Sequence, residues 1–448
     1  MRDLTTGGPF KRIIVFCLPL LIGNLFQQFY NLADSIIVGR YLGVNAFAAV
    51  GSTGSLNFMI LGFALGICSG CAIPIAQSFG AGSVRDVRAY TGQIVLVSVG
   101  ISLFVTALTF FTTDPILRLL DTPAEIFDDA YTYIFIVFMG SGATVLYNMA
   151  GGVLRALGDS RMPLVFLILA ALVNIALDIL FISVFRMGVE GAAYATVLSQ
   201  LLSGLACIEY IRRRVPILHF SKADLKPCAA RIRQLLRLGV PMGLQFSITA
   251  VGTIILQGAV NSLGAAMVAA VSAASKVGNI ITAPFDSMGM TMATYCGQNL
   301  GAGAMDRVHR GMRCGTVIGI AYSIFAFIVA HFFGTRIACV FMDASETEIL
   351  SNVQLYCTIS GIAYPALALI MIYRNSLQGL GFSTAAMLAG VAELAARSVA
   401  AFSLVRTFGY IGVCFANPLA WVAADVILLP MYFILIPRLD RAHPAPAK

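Results

Sequence analysis

The sequence predicts an all-α polytopic membrane protein with twelve transmembrane helices in two parallel-repeat six-helix bundles (6+6). Three observations carry this reading. The composition is too apolar for a soluble domain, twelve apolar runs are each long enough to cross a bilayer, and the two halves of the chain repeat each other at a spacing of about 222 residues.

Of 448 residues, 59% are hydrophobic and 11% charged, and the mean hydropathy is +0.88. Soluble domains carry roughly 25% charged residues. So few charges cannot shield a core of this size from water, so lipid must be the outer solvent. The apolar run after Lys11 and Arg12 is too long for a signal-peptide core and no small-residue cleavage site follows it, so Met1 is expected to be the true start. Ten cysteines are scattered along the chain. Cys68 and Cys71 form the one C-x-x-C pair, inside a span with no second pair and no nearby histidine, and read as reduced packing residues.

The apolar runs place spans at 13–39, 46–72, 89–112, 130–154, 162–185 and 190–211, then at 235–260, 266–295, 311–335, 351–377, 382–405 and 411–436. Each satisfies the ~20 residues that a helical crossing needs. None alternates with a period of two, which excludes a β-barrel. With the N-terminus in the cytoplasm, 22 of the 29 Lys and Arg fall on the cytoplasmic side and five on the other. Lys276 and Arg397 fall within spans. This positive-inside bias predicts that both termini are cytoplasmic. It also accounts for the net charge of +8 without nucleic-acid binding.

The longest basic stretch, from Arg212 to Arg237, sits at mid-chain. It predicts an N-terminal bundle at 1–212, a cytoplasmic basic linker at 213–234 and a C-terminal bundle at 235–448. The halves match in detail. Pro19 corresponds to Pro241, Tyr41-Leu42-Gly43 to Ser262-Leu263-Gly264, and Gln77-Ser78-Phe79-Gly80-Ala81-Gly82 to Gln298-Asn299-Leu300-Gly301-Ala302-Gly303. Leu154, Leu157 and Gly158 correspond to Leu377, Leu380 and Gly381. An even number of spans per half gives both halves the same orientation, the parallel-repeat plan of secondary transporters with a substrate cleft between bundles.

Ionisable groups within spans are costly and face a cavity or a partner. Here they are Asp34, Asp178, Asp286, Glu393 and Asp425, with Lys276 and Arg397. At 1.5 Å per residue, Asp34 lies roughly 9 Å below the outer end of span 1 and Asp178 roughly 12 Å below that of span 5. On the same measure Thr196 on span 6 and Tyr133 on span 4 lie roughly 9 and 6 Å deep. Asn174, four residues before Asp178, shares its helix face. Four helices of the first half thus offer hard oxygen ligands at one depth. The cluster suits Na+, or a proton held between the two carboxylates, because both cannot stay ionised in a low dielectric without a cation. The alternative is a polar knot that only pins helices together.

On these residues the chain resembles the MATE (multidrug and toxic compound extrusion) transporter family. The resemblance rests on Pro19 and Asp34 fifteen apart, the Asn174-xxx-Asp178 pair, Thr196, the repeated Gln-x-x-Gly-Ala-Gly and the 6+6 layout, and it covers nearly the whole chain. It implies that Asp34, Asn174, Asp178 and Thr196 form the cation site, as metal ligands if the ion is Na+, with Tyr133 in the surrounding network. It further implies that Asn148 is a polar position on span 4 and Pro19 the hinge of span 1, where the missing N–H weakens the helix.

Family members that couple through the second half carry carboxylates on spans 7 and 10. Span 7 here offers Gln245, and span 10 has no Asp or Glu. Gln245, Asp286 and Glu393 are therefore expected to line the substrate cleft, while Glu393 and Arg397, four apart, can also pair on one helix face. Asp425 suggests no role. Met288, Met290 and Met292 are candidates for an adaptable cleft lining.

Other classes find little support. The glycines at 51–55 lack the Lys and strand context of a phosphate loop. No catalytic motif is present, and His219, His309, His331 and His443 are dispersed. The expectation is a plasma-membrane antiporter that is not an enzyme. It would need no cofactor beyond a bound Na+ as coupling ion, and it would act as a monomer on small organic, cationic, amphipathic substrates in exchange for Na+ or H+. A lipid-linked precursor flippase of related fold is the alternative. It expects a basic cavity, whereas only Lys276 and Arg397 are intramembrane cations by sequence.

Overall fold

The computed structural model describes residues 3–120, 122–221, 223–340 and 345–442, apart from the side chain of Leu32. Arg2, Lys222, His443 and Lys448, counted or noted above, lie outside the described residues. The described chain is all helix and connecting turns. The first half comprises α1 (Pro9–Leu42), α2 (Val44–Ser52), α3 (Gly54–Gly80), α4 (Val84–Leu119), α5 (Ala124–Met139), α6 (Ser141–Ala156), α7 (Arg161–Asp178) and α8 (Val189–Arg214). The second comprises α9 (Ala229–Asn261), α10 (Ala265–Gly301), α11 (Met305–Ala338), α12 (Thr347–Ile362), α13 (Tyr364–Gly379), α14 (Ser383–Val399), α15 (Val405–Phe408) and α16 (Tyr410–Ala442).

Ten helical stretches are long and apolar enough to cross a membrane, and two bent pairs bring the number to twelve. The bent pairs are α5 with α6, at 48°, and α12 with α13, at 51°. Each is one apolar run in the sequence. Gly140 lies where a Cβ would overlap the Val197 side chain. Pro365, at the start of α13, has no N–H to bond the preceding turn.

The repeat seen in the sequence is a repeat of helix punctuation. Gly82 and Gly303 adopt φ of 70° and 68°. Just beyond them, Ser83 N–H donates to Ser78 O at 3.0 Å and Ala304 N–H to Asn299 O at 2.9 Å. This six-to-one bond across a left-handed glycine is how a helix closes its last carbonyls. Gln-x-x-Gly-Ala-Gly is therefore a helix stop, used twice. Asp159 N–H to Leu154 O and Phe382 N–H to Leu377 O close α6 and α13 in the same way. A π-helical turn follows α7 at Ile179–Val184 and another follows α14 at Ala400–Leu404. Within the helices, hydroxyls such as those of Thr109, Thr113, Ser287 and Thr291 donate to the carbonyl four residues back, which satisfies them without water.

Two compact units emerge. One contains Ile22–Gly243, the other Leu4–Leu21 with Leu244 onward. The leading parts of α1 and α9 thus belong to the unit of the other repeat, an exchange that a division into contiguous halves does not express. Within the first unit α3 and the start of α9 run backbone to backbone. A Cβ on Gly66 would lie 2.5 Å from Met242 O, and one on Gly70 2.5 Å from Gly239 Cα. Small residues allow such approach in lipid, where packing replaces the hydrophobic effect. Replacing Gly70 with Leu is expected to destabilise the protein by ~1–3 kcal/mol or more, the range for overpacking. A drop in the melting temperature of detergent-purified protein would show it; replacing Gly258, whose Cβ would meet nothing within 4 Å, serves as the neutral control.

Candidate ion-coupling site

The first unit brings together four of its helices at one buried point: α1 with Asp34, α5 with Tyr133, α7 with Asn174 and Asp178, and α8 with Thr196. Asn174 and Asp178 are 0% exposed, Tyr133 8% and Asp34 9%. The Asp34 and Asp178 carboxyls lie within hydrogen-bonding reach of each other. Asn174 Nδ2 donates to Thr196 Oγ1 at 3.5 Å. Tyr133 and Tyr30 lie beside Thr196 and the two carboxylates.

What remains is a set of acceptors. Asp34 Oδ1, Asn174 Oδ1 and both Asp178 oxygens are buried with no hydrogen-bond partner among the described residues. Two carboxylates carry no donor between them, and buried polar atoms are rarely left unpaired. The arrangement calls for a positively charged guest, either a proton bridging Asp34 and Asp178 or a small cation ligated by these oxygens. Asp178 is the last residue of α7, directly before the π-helical turn. Such turns recur at functional sites because they interrupt the regular ladder.

Tyr30 is the member of this cluster that the sequence pattern does not single out. The available signal is its position four residues before Asp34, on the same helix face. Asn148 is not brought into the cluster; its Nδ2 donates to Thr144 O at 2.8 Å on its own helix. Pro19 lies inside an unbroken α1, two residues before Leu21, where the helix passes from one unit to the other.

The second unit holds a different ionic centre. Arg374 Nη1 donates to Glu393 Oε1 at 2.7 Å, and Arg397 Nη2 to Glu393 Oε2 at 3.3 Å. Arg397 Nε reaches Asn417 Oδ1 at 3.2 Å, and Asn417 Nδ2 donates to the Tyr356 hydroxyl at 3.0 Å. Glu393 and Arg397 thus pair on one helix as their spacing predicts, with the shorter bond coming from α13. Arg374 corrects the charge assignment made from sequence. Three residues from the end of its apolar run it reads as a cytoplasmic-side cation, yet it is 7% exposed and ion-paired. Asp425 is buried beside Arg374 and Glu393, whereas the Asp286 side chain is exposed near Arg374. Gln245 accepts from Gln378 Nε2 at 2.7 Å, a neutral pair.

Two repeated helical units, one of them with a cluster of buried carboxylate oxygens unpartnered among the described residues, fit one class: a multi-pass membrane transporter on the parallel-repeat plan. The MatE family model matches residues 19–180 and 241–400, and the chain belongs to the MATE family. It is 34% identical over 306 residues to "Probable multidrug resistance protein YpnP" of Bacillus subtilis, covering 68% of each chain. It is 31% identical over 358 residues to "Probable multidrug resistance protein YoeA" of the same organism, covering 78% of this chain and 77% of that one. Among solved structures, it superposes on an outward-facing multidrug resistance MATE family transporter of the MOP superfamily with a TM-score of 0.90, at 22% identity over 98% of both chains.

The ionic centre of the second unit makes a stability prediction. Replacing Glu393 with Gln removes the counter-charge of two buried guanidinium groups and should cost ~3–5 kcal/mol, as for other broken buried pairs. A combined Arg374→Met, Glu393→Gln variant leaves one uncompensated guanidinium in place of two. It should recover part of the loss in a thermal-unfolding assay, and equal melting temperatures for wild type and Glu393→Gln would refute the assignment.

Proposed function

We propose that the protein is a secondary active antiporter that exports small organic compounds in exchange for Na+ or H+ by alternating access. One observation carries this reading: the four buried acceptor oxygens of Asp34, Asn174 and Asp178 that have no donor. A proton bound there would be shared by Asp34 and Asp178. A Na+ ion would take oxygens of Asp34, Asn174, Asp178 and Thr196, a hard ligand set. Either guest relieves the repulsion between the carboxylates, so the ion-bound and ion-free proteins differ in free energy at this point. Differential affinity of two conformations for ion and substrate is what couples their fluxes.

The names of the Bacillus relatives support multidrug compounds as the cargo. The expected substrates are cationic and amphipathic. Asp286, exposed and in no ion pair among the described residues, is the acid of the second unit best placed to meet a cationic group. Glu393 is already held by two arginines, and Gln245 is held by Gln378, so both contribute less than their position in the sequence implies. The basic-cavity alternative, a flippase, gains little from Arg374, because it and Arg397 both bond to Glu393. A plasma-membrane location, cytoplasmic termini, monomeric action and a basic linker at 213–234 complete the proposal.

The test is efflux of ethidium from everted vesicles under a pure Na+ or a pure pH gradient imposed in turn. Asp34→Asn and Asp178→Asn should each lower gradient-driven transport at least tenfold while the yield and melting temperature of purified protein hold. Undiminished efflux in both variants would sink the proposal.

A further inference from the structure

The helix that carries Asp34 begins with a clamped strap. Residues 3–8 precede α1, and Leu4, 1% exposed, is packed with Ile13, Phe16, Leu20, Tyr295 and Val308 in one core of the second unit. The strap's backbone is held by side chains of α10 and α11. Arg307 Nη2 donates to Leu4 O at 3.0 Å, Arg307 Nη1 to Gly7 O at 2.9 Å, and Arg307 Nε to Asn299 Oδ1 at 2.9 Å. Leu4 N–H donates to Gln298 Oε1 at 3.1 Å, and Asn299 Nδ2 to Leu4 O at 3.3 Å. Arg12 Nε, donating to Thr6 O at 3.0 Å, closes the strap onto the first turn of α1.

The same construction precedes α9 in the first unit. Gln93 Nε2 donates to Asp224 O at 2.8 Å and to Lys226 O at 2.9 Å, and Gln93 Oε1 accepts from Cys228 N–H at 2.9 Å. Gly92 leaves the room, since a Cβ there would overlap Asp224 O. Arg231 Nη2 donates to Asp86 Oδ1 at 3.2 Å, and Asp86 is the repeat counterpart of Arg307 at a spacing of 221. The two units therefore use the same place for the same purpose with different chemistry. The helices that follow the straps, α1 and α9, are the two that pass from one unit to the other. Each passes just after a proline: Pro19 before the step from Leu21 to Ile22, Pro241 before the step from Gly243 to Leu244.

The bonds to Leu4 satisfy buried backbone groups, but polarity alone does not require the whole clamp. Gly7 O lies at an exposed position where water would satisfy it as well. What the clamp adds is position. A guanidinium spends three of its five rigidly arranged donors on two carbonyls of the strap and on the amide that also holds it. We infer that Arg307 is a positioning residue for the coupled cycle: it fixes the start of α1 in the second unit, so that ion binding at Asp34 in the first unit is converted into bending at Pro19. With the start free, α1 would follow Asp34 as a rigid rod, and ion binding would have no consequence beyond its own unit. The inference rests on the reading of Asp34 and Asp178 as the coupling site.

The test uses the full-length protein in liposomes and measures ion flux and ethidium flux together, with the affinity for the ion measured on the purified protein. Arg307→Met should lower gradient-driven ethidium transport at least tenfold and raise the ions moved per ethidium severalfold, with ion affinity within twofold of wild type. Gln298→Met should do the same more weakly, and Arg307→Lys, a cation that reaches fewer of the acceptors, should fall between. An ion-to-ethidium ratio equal to wild type in Arg307→Met and Gln298→Met overturns the inference, even if less folded protein is recovered, because a merely structural residue changes yield and not stoichiometry. If Arg307→Met does not fold, the ratio in Gln298→Met and Arg307→Lys decides on the same criterion. A wild type that moves no ion with ethidium, or an Asp34→Asn variant as coupled as wild type, defeats the coupling reading and this inference together. Coupled wild type and uncoupled Asp34→Asn with an unchanged Arg307→Met ratio defeats the clamp alone.

Discussion

Two carboxylates within hydrogen-bonding reach of each other, buried and without a donor between them, cannot be at rest in a protein whose outer solvent is lipid. Burial keeps bulk water from screening them, and Asn174 Nδ2, a neighbour that could donate, gives its bond to Thr196 Oγ1. The surrounding helices are arranged to withhold compensation from Asp34 and Asp178. The deficit is left for something mobile to fill. A site that satisfied itself would be a better structural knot and a worse place to couple an ion.

The second unit shows a buried cluster that carries its own counter-charge. Just ahead of its own π-helical turn it carries Arg397, and Glu393 is held by that arginine and by Arg374. The counter-charge is built into the chain. A tethered guanidinium cannot leave, and arginine does not lose its proton in proteins, so this centre is suited to holding helices in register. The repeat therefore preserves the backbone devices, the glycine stops, the paired bends and the π-helical turns, while the ionic chemistry differs: unpartnered carboxylate oxygens in one unit and an ion-paired glutamate in the other.

This difference also marks what the sequence could and could not reveal. Twelve crossings were legible because lipid imposes length and apolarity on every span. Asp34, Tyr133, Asn174, Asp178 and Thr196 were legible because equal depth in different helices can be counted in residues. Arg374 was not, because a charge near the end of an apolar run reads as a loop residue unless its partner is known, and Glu393 comes from another helix. Tyr30 was hidden by its ordinary character, an aromatic on an apolar helix. The bends at Gly140 and Ala363 left no gap in hydropathy, since a kink costs hydrogen bonds and not hydrophobicity. The exchange of the leading parts of α1 and α9 depends on tertiary contacts that no local pattern encodes.

That exchange bears on how a local event can matter elsewhere. A unit that binds an ion can act on its partner only through something the two share, and covalent continuity is the surest link. α1 has Asp34 on one side of its crossing, a strap held by Arg307 on the other, and Pro19 between. Proline removes one ladder bond and so softens the helix at one place. A rod softened in the middle and held at one end responds to a displacement at the other by bending there. Without the hold it would translate, and without the soft point it would resist. In the proposed cycle only the combination turns relief of the repulsion between two carboxylates into a change of shape, and there the residues ahead of α1 belong to the same mechanism as the acids within it.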